Sequence, residues 1–89
     1  MGTNYFVYIL KCKDNTLYTG FTTDVTRRIE QHEAGLGAKY TRGRGPFELL
    51  HIERFSEKSA ALKREREIKR WSRVRKLKYI EVKKEESSD

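Results

Sequence analysis

Apolar positions fall into two periods along this chain, and the switch between them lays out the fold. Tyr5, Phe6, Val7, Tyr8, Ile9 and Leu10 form an almost unbroken apolar run. A run of that length, rich in aromatic and branched residues, predicts a strand covered on both faces, from about Asn4 to Cys12. Lys13-Asp14-Asn15-Thr16 contains residues that tolerate left-handed backbone and predicts a turn. A second strand follows from about Thr16 to Thr22, and the glycine inside it, Gly20, marks a close approach by another group.

The hairpin register decides whether Tyr8 and Tyr18 share a face. A plain two-residue turn at Asp14-Asn15 would set Tyr8 opposite Phe21 and turn Tyr18 to the other side. A loop of three or five residues, or a bulge, brings both tyrosines to one face, and that is the expectation here.

The period then changes to that of a helix. Val25, Arg28, Ile29 and His32 recur at i, i+3, i+4 and i+7, with Asp24 or Thr23 as N-cap and Gly35 as terminator. Two of these four inward positions are an arginine and a histidine. Either they border the stripe, with Arg28 snorkelling and His32 hydrogen-bonded at its edge, or they belong to a site. Residues 35–46 form a loop with four glycines, no acidic residue, and Lys39, Tyr40, Arg42 and Arg44. It matches neither the P-loop nor the dinucleotide pattern. It reads either as flexible contact with phosphates or as an ordinary solvated connection.

A third strand is expected over Phe47–Phe55, with apolar residues on both faces. Ser56 is the expected cap of a helix reaching about Arg70, whose inward stripe is Ala61, Leu62, Ile68 and Trp71. Glu65 lies inside that stripe and needs a cation, a metal or a hydrogen-bond network. Ser72 caps a last helix from Arg73 to about Val82, with Val74, Leu77 and Ile80 inward, and residues 83–89 form a disordered polar tail. The elements therefore follow in the order β-β-α-β-α-α, in a single domain over residues 1–82.

Charge narrows the partner. Twenty Lys and Arg stand against thirteen Asp and Glu in 89 residues, a formal net charge of +7. Such a balance points to a polyanion, nucleic acid before an anionic membrane surface. From Glu57 to Lys78 ten Lys and Arg stand against three Glu, more than i, i+4 pairing uses. Lys63, Arg66, Lys69 and Arg70 are thus candidate phosphate contacts beside Lys39, Tyr40, Arg42 and Arg44. Cys12 is the only cysteine, and with two histidines no four-ligand zinc set can be built. The apolar run is too short for a membrane span and lacks a basic flank for a signal peptide, so a reducing cytoplasmic setting, with nucleoid association open, is expected.

Together these residues resemble the GIY-YIG nuclease domain, in its short stand-alone bacterial, YhbQ-like (URI-domain) branch. Phe6-Val7-Tyr8 stands at the first family tripeptide and Tyr18-Thr19-Gly20 at the second. Arg28 lies ten residues beyond the second tyrosine, His32 one turn later, and Ala61-Leu62-Lys63-Arg64-Glu65 has the context of the family glutamate. The resemblance runs from about Tyr5 to Ile80. Phe6 replaces a glycine, Thr19 replaces an isoleucine, and no asparagine occurs after Asn15, where several members have one near the domain end.

The resemblance implies the fold class α/β (α+β), a small, mostly antiparallel three-stranded sheet flanked by helices, and metal-dependent hydrolysis of phosphodiester bonds, of DNA in preference to RNA, in DNA repair or processing. It implies Tyr8, Tyr18, Arg28, His32 and Glu65 as the catalytic set, with Glu65 holding one Mg²⁺ or Mn²⁺. Tyr8 is expected as the general base, Tyr18 as its partner or a phosphate ligand, and Arg28 as the phosphate clamp. The alternative is a catalytically weak or inactive nucleic-acid-binding module on the same fold, and a further repair protein is a candidate partner. The oligomeric state is not legible.

Overall fold

The computed structural model describes residues 2–87. Its elements are β1 (Tyr5–Lys11), β2 (Leu17–Thr22), α1 (Val25–Glu33), a single 3-10 turn (Lys39–Thr41), β3 (Glu48–Phe55), α2 (Lys58–Lys69) and α3 (Arg73–Ser87). The three strands form one antiparallel sheet in the order β2-β1-β3. This is the α/β arrangement expected from the chain order β-β-α-β-α-α. The apolar run takes the central strand, where Val7, Tyr8, Ile9 and Leu10 are buried on both faces.

The hairpin closes on three residues. Cys12 N–H donates to Thr16 O (2.8 Å) and Asn15 N–H to Cys12 O (2.9 Å). Asn15 takes the left-handed conformation, φ 67°, that a three-residue hairpin loop places at its last position. The Asp14 carboxylate fixes the turn by accepting from Thr16 Oγ1 at 2.6 Å. An odd loop aligns Tyr8 with Gly20 and Leu10 with Tyr18. Tyr8, Leu10 and Tyr18 therefore share a face.

Between β1 and β3 the register slips by one residue, so that Ile9 faces His51 and Leu10 faces Leu49. Leu50 is the extra residue of this bulge. It packs on the core, while Leu49 is turned out and 42 % exposed. The core lies on the face opposite the tyrosines. Val7 and Ile9 of β1 pack there with Ala61 and Ile68 of α2 and Ile80 of α3, and Phe21, Phe55 and Trp71 flank them. Glu53 ties three elements together. It accepts from Arg64 Nε (2.8 Å) and Tyr79 Oη (2.7 Å) and pairs with His51 Nε2 (2.9 Å).

Three details differ from the sequence pattern. Glu57, not Ser56, occupies the N-cap of α2, and it makes no side-chain cap bond. In α3 Leu77 and Ile80 face inward as expected, but Val74 is exposed and Lys76 is buried, one turn before Ile80. The helix also continues past Val82 to Ser87. Lys and Glu are good helix formers, no breaker intervenes, and Lys83 pairs with Glu86 at 3.1 Å. Of the expected polar tail, residues 88 and 89 lie outside the described residues. Among the described residues no helix is long and apolar enough to cross a membrane.

Candidate active site

The site begins with the close approach of Tyr8 to Gly20. The two residues are opposite each other, and a Cβ on Gly20 would clash with the Tyr8 hydroxyl oxygen and lie 2.5 Å from its Cζ. The Tyr8 ring thus lies across β2 and carries its hydroxyl toward the free edge of the sheet. Tyr18 lies beside it, with ring centroids 6.3 Å apart.

The first helix delivers the next two groups. Asp24 caps α1 by accepting from Arg27 N–H at 3.1 Å, and Gly35 (φ 76°) turns the chain away at its end. The stripe Val25, Arg28, Ile29, His32 faces the sheet, and its most buried member is the histidine, 2 % exposed. His32 Nε2 lies 2.9 Å from Tyr8 Oη, and His32 Nδ1 lies 2.7 Å from Thr41 Oγ1. Thr41 Oγ1 donates to Ala38 O at 2.9 Å. Gly37 is packed against the same imidazole, since a Cβ there would come within 2.8 Å of His32 Cγ. Tyr18 and Phe47 enclose the ring at centroid distances of 5.2 and 5.8 Å. Arg28 Nη1 donates to Gln31 Oε1 at 3.0 Å, and its guanidinium lies beside the Tyr8 hydroxyl.

These neighbours set the protonation states. Burial pushes the Tyr8 phenol up to about 12, against the pull of the Arg28 guanidinium; the charges of Tyr18 and Glu65 push the same way as burial. Burial and then the Arg28 charge hold His32 below the usual imidazole range. The apo site is thus a neutral phenol on a neutral imidazole, beside a permanent cation.

Glu65 comes from α2, within electrostatic range of Tyr8. Its side chain is 16 % exposed, and Lys69 Nζ lies 3.4 Å from it, one helical turn on. Of the partners such an inward carboxylate needs, the structure supplies a cation, Lys69. Among the described residues no group of three or more His, Cys, Asp or Glu converges on a common point. A cage built by protein alone is therefore not what these residues offer. A single shielded carboxylate suits a Mg²⁺-like ion, which keeps several waters and takes one or two carboxylates plus substrate phosphate. On that chemistry Glu65 fits.

The candidate phosphate contacts divide. Tyr40 stacks on Tyr18 (6.0 Å, 22° between planes), and Arg44 lies over Tyr40 at 4.5 Å from the ring centre. Arg44 also pairs with Asp14, and its carbonyl accepts from Lys13 N–H at 2.7 Å. The glycine-rich loop is accordingly fastened to the hairpin turn and to the site rather than being a free connection, and Arg44 is engaged internally. Lys39, Arg42, Lys63, Arg66, Lys69 and Arg70 are exposed. Arg28 itself lines a surface cleft of about 330 Å³ between Thr22–Asp24 and Gln31.

Several residues of the site carry no periodic signal. Thr41, Ala38 and Gly37 meet His32 only because the loop folds back over α1. Lys76 is 8 % exposed and donates to Thr19 Oγ1 at 2.9 Å, which accounts for a hydroxyl at a strand position facing the core. A lysine four residues before a core isoleucine gives no such hint.

Residues 4–79 match the family model of the GIY-YIG catalytic domain. A UPF0213 protein of Natronomonas pharaonis is 58 % identical over 80 residues, 90 % of this chain and 94 % of that one. A UPF0213 protein of Oceanobacillus iheyensis is 50 % identical over 86 residues, 97 % of this chain and 100 % of that one. The solution NMR structure of the UPF0213 protein BH0048 from Bacillus halodurans is 52 % identical, with TM-score 0.60 over 90 % of this chain and 85 % of that one. The solution NMR structure of the protein EF2693 from E. faecalis is 35 % identical, with TM-score 0.66 over 97 % of this chain and 92 % of that one.

Proposed function

The chain belongs to the GIY-YIG catalytic-domain family, and from that premise we propose that it is a metal-dependent endonuclease. Its substrate on this reading is DNA in preference to RNA, in repair or processing, in the cytoplasm. The observation that carries the proposal is the grouping around one phenol. Tyr8 has His32 in hydrogen-bond contact, Arg28 beside its hydroxyl, and Tyr18 and Glu65 within range. Phosphodiester hydrolysis needs few parts: a proton acceptor for water, a cation for equatorial charge, and a stabiliser for the leaving oxygen.

Arg28 binds and orients the phosphate, because its planar fork donates to two oxygens at once and never loses its charge. Glu65 is the residue that would hold one Mg²⁺ or Mn²⁺, which when bound supplies Lewis-acid stabilisation of the leaving oxygen. Tyr8 Oη takes the proton of the attacking water. A phenol at about 12 costs roughly 7 kcal/mol to ionise at neutral pH, too much for a standing phenolate. Tyr8 therefore passes its own proton on as it receives one, and His32 Nε2 at 2.9 Å is the group in contact to take it. Tyr18 closes the other side of the imidazole and shields it from water.

The alternative is a nucleic-acid-binding module without turnover, and one observation favours it. Lys69 already neutralises the carboxylate that a cation would need. That pair is an i, i+4 contact with a half-exposed lysine, of a kind that contributes about 0.3–0.5 kcal/mol, so a divalent ion displaces it readily. The competing cation is thus too weakly held to decide against catalysis. The test is cleavage of labelled duplex, single-stranded, flap and branched DNA and of RNA, with Mg²⁺, Mn²⁺ or EDTA. Metal-dependent cutting that Glu65→Ala removes, with binding retained, supports the nuclease. Binding without cutting under every metal supports the module.

A further inference from the structure

The bond direction at Thr41 carries information that the heavy-atom distances around His32 do not. Thr41 Oγ1 has a single proton. It lies 2.9 Å from Ala38 O, a carbonyl that can only accept, and 2.7 Å from His32 Nδ1. With its proton given to Ala38, the hydroxyl can only accept from the imidazole, so Nδ1 carries the hydrogen. A neutral imidazole with hydrogen on Nδ1 has a bare Nε2. The Tyr8 hydroxyl must then be the donor across the 2.9 Å contact. We propose that Thr41 is a positioning residue that fixes the His32 tautomer, so that Nε2 is held ready to accept the Tyr8 proton.

The surroundings favour one arrangement only. Tyr8, His32 and Thr41 are shielded, at 1 %, 2 % and 1 % exposed, so water does not substitute for the hydroxyl. Gly37 leaves no room for the ring to slide toward the loop, and the edge of the Tyr18 contact restrains it on another side. Ala38 O also accepts from Thr41 N–H at 3.1 Å, closing the 3-10 turn that aims the side chain. The loop thereby acts on the phenol through the imidazole and touches no substrate at this point. Ala38 O can only accept, whereas Nδ1 can donate, so hydrogen on Nδ1 is the arrangement that satisfies both contacts of the hydroxyl.

The proposal rests on the nuclease reading for its purpose but not for its test. The chain has two histidines, so long-range ¹⁵N–¹H correlation of the imidazoles reports each tautomer directly in the intact apo protein. The expected wild-type result is a His32 ring with a protonated Nδ1 and a bare Nε2. Thr41→Val, which keeps the shape and removes the hydroxyl, is expected to shift His32 toward hydrogen on Nε2 and to lower kcat about tenfold or more with KM little changed. Thr41→Ser is expected to restore both tautomer and turnover. Wild-type protein with hydrogen on Nε2 overturns the proposal, and so does an unchanged tautomer in folded Thr41→Val. If Thr41→Val does not fold, the wild-type and Thr41→Ser spectra still decide it. The expected tautomers without cleavage by wild type under any metal support the assignment and contradict the nuclease reading.

Discussion

Tyr8 packs against Gly20 more closely than any side chain at position 20 allows: a Cβ there would overlap the Tyr8 phenol. Gly20→Ala is expected to force the ring out of its path or to strain the strand, at a cost of about 1–3 kcal/mol. Chemical denaturation measures this. Cleavage should fall more steeply than stability, because the displaced hydroxyl leaves His32 Nε2. A folded Gly20→Ala protein with wild-type turnover contradicts this placement of the base.

Arg28 is held by Gln31 and faces an open cleft. Arg28→Lys keeps the charge and loses the fork, so kcat should drop by roughly 10²-fold, the scale of losing one donor to a transition-state oxyanion. Single-turnover kinetics at saturating protein separate this from weaker binding. Equal turnover in the two proteins would reduce Arg28 to a structural residue.

His32 must be neutral to accept a proton, and burial together with Arg28 lowers its pKa. Protonation therefore inactivates the site only as pH falls through that lowered value. The acid limb of kcat/KM should lie below the ordinary imidazole value of about 6.5. A limb at or above that value contradicts a neutral His32 in the free protein.

Glu53 is the counterpart on the core side. Burial alone would raise its pKa, but His51, Arg64 and Tyr79 outweigh it and bring the carboxyl down from 4.5 to about 2. A depressed carboxylate contributes stability above its unfolded value, and that contribution is lost as pH falls through the folded one. Wild-type protein should thus lose about 3 kcal/mol between pH 4.5 and 2 from this group. Urea denaturation across that range should show a much flatter profile for Glu53→Gln. Matching slopes would mean that the network is not what holds the acid stability.

Much of this arrangement was legible because it is local or periodic. The strands follow from the apolar run and the turn residues, and the shared face of Tyr8 and Tyr18 follows from an odd hairpin loop. The inward arginine and histidine of α1 follow from a spacing of three and four. What was not legible depends on contacts between elements. Thr41 acts on His32 only because residues 35–46 fold back, and nothing in that glycine-rich stretch specifies the direction of folding. Lys76 is buried beside the expected inward residues Leu77 and Ile80, where it donates to Thr19 on β2, a contact between elements that the apolar pattern of α3 does not encode. The length of α3 is hidden for a different reason: a charged run has the composition of a tail, yet Lys and Glu at helical spacing support one another.

The most direct test of the central claim is removal of one oxygen. Tyr8→Phe keeps the buried ring over Gly20 and deletes only the hydroxyl that His32 and Arg28 surround. Initial rates on the best DNA substrate with Mg²⁺ or Mn²⁺ should fall by about 10²-fold or more, with DNA affinity unchanged. Wild-type rates from a folded Tyr8→Phe protein would contradict Tyr8 as the acceptor of the water proton and with it the account of the site given above.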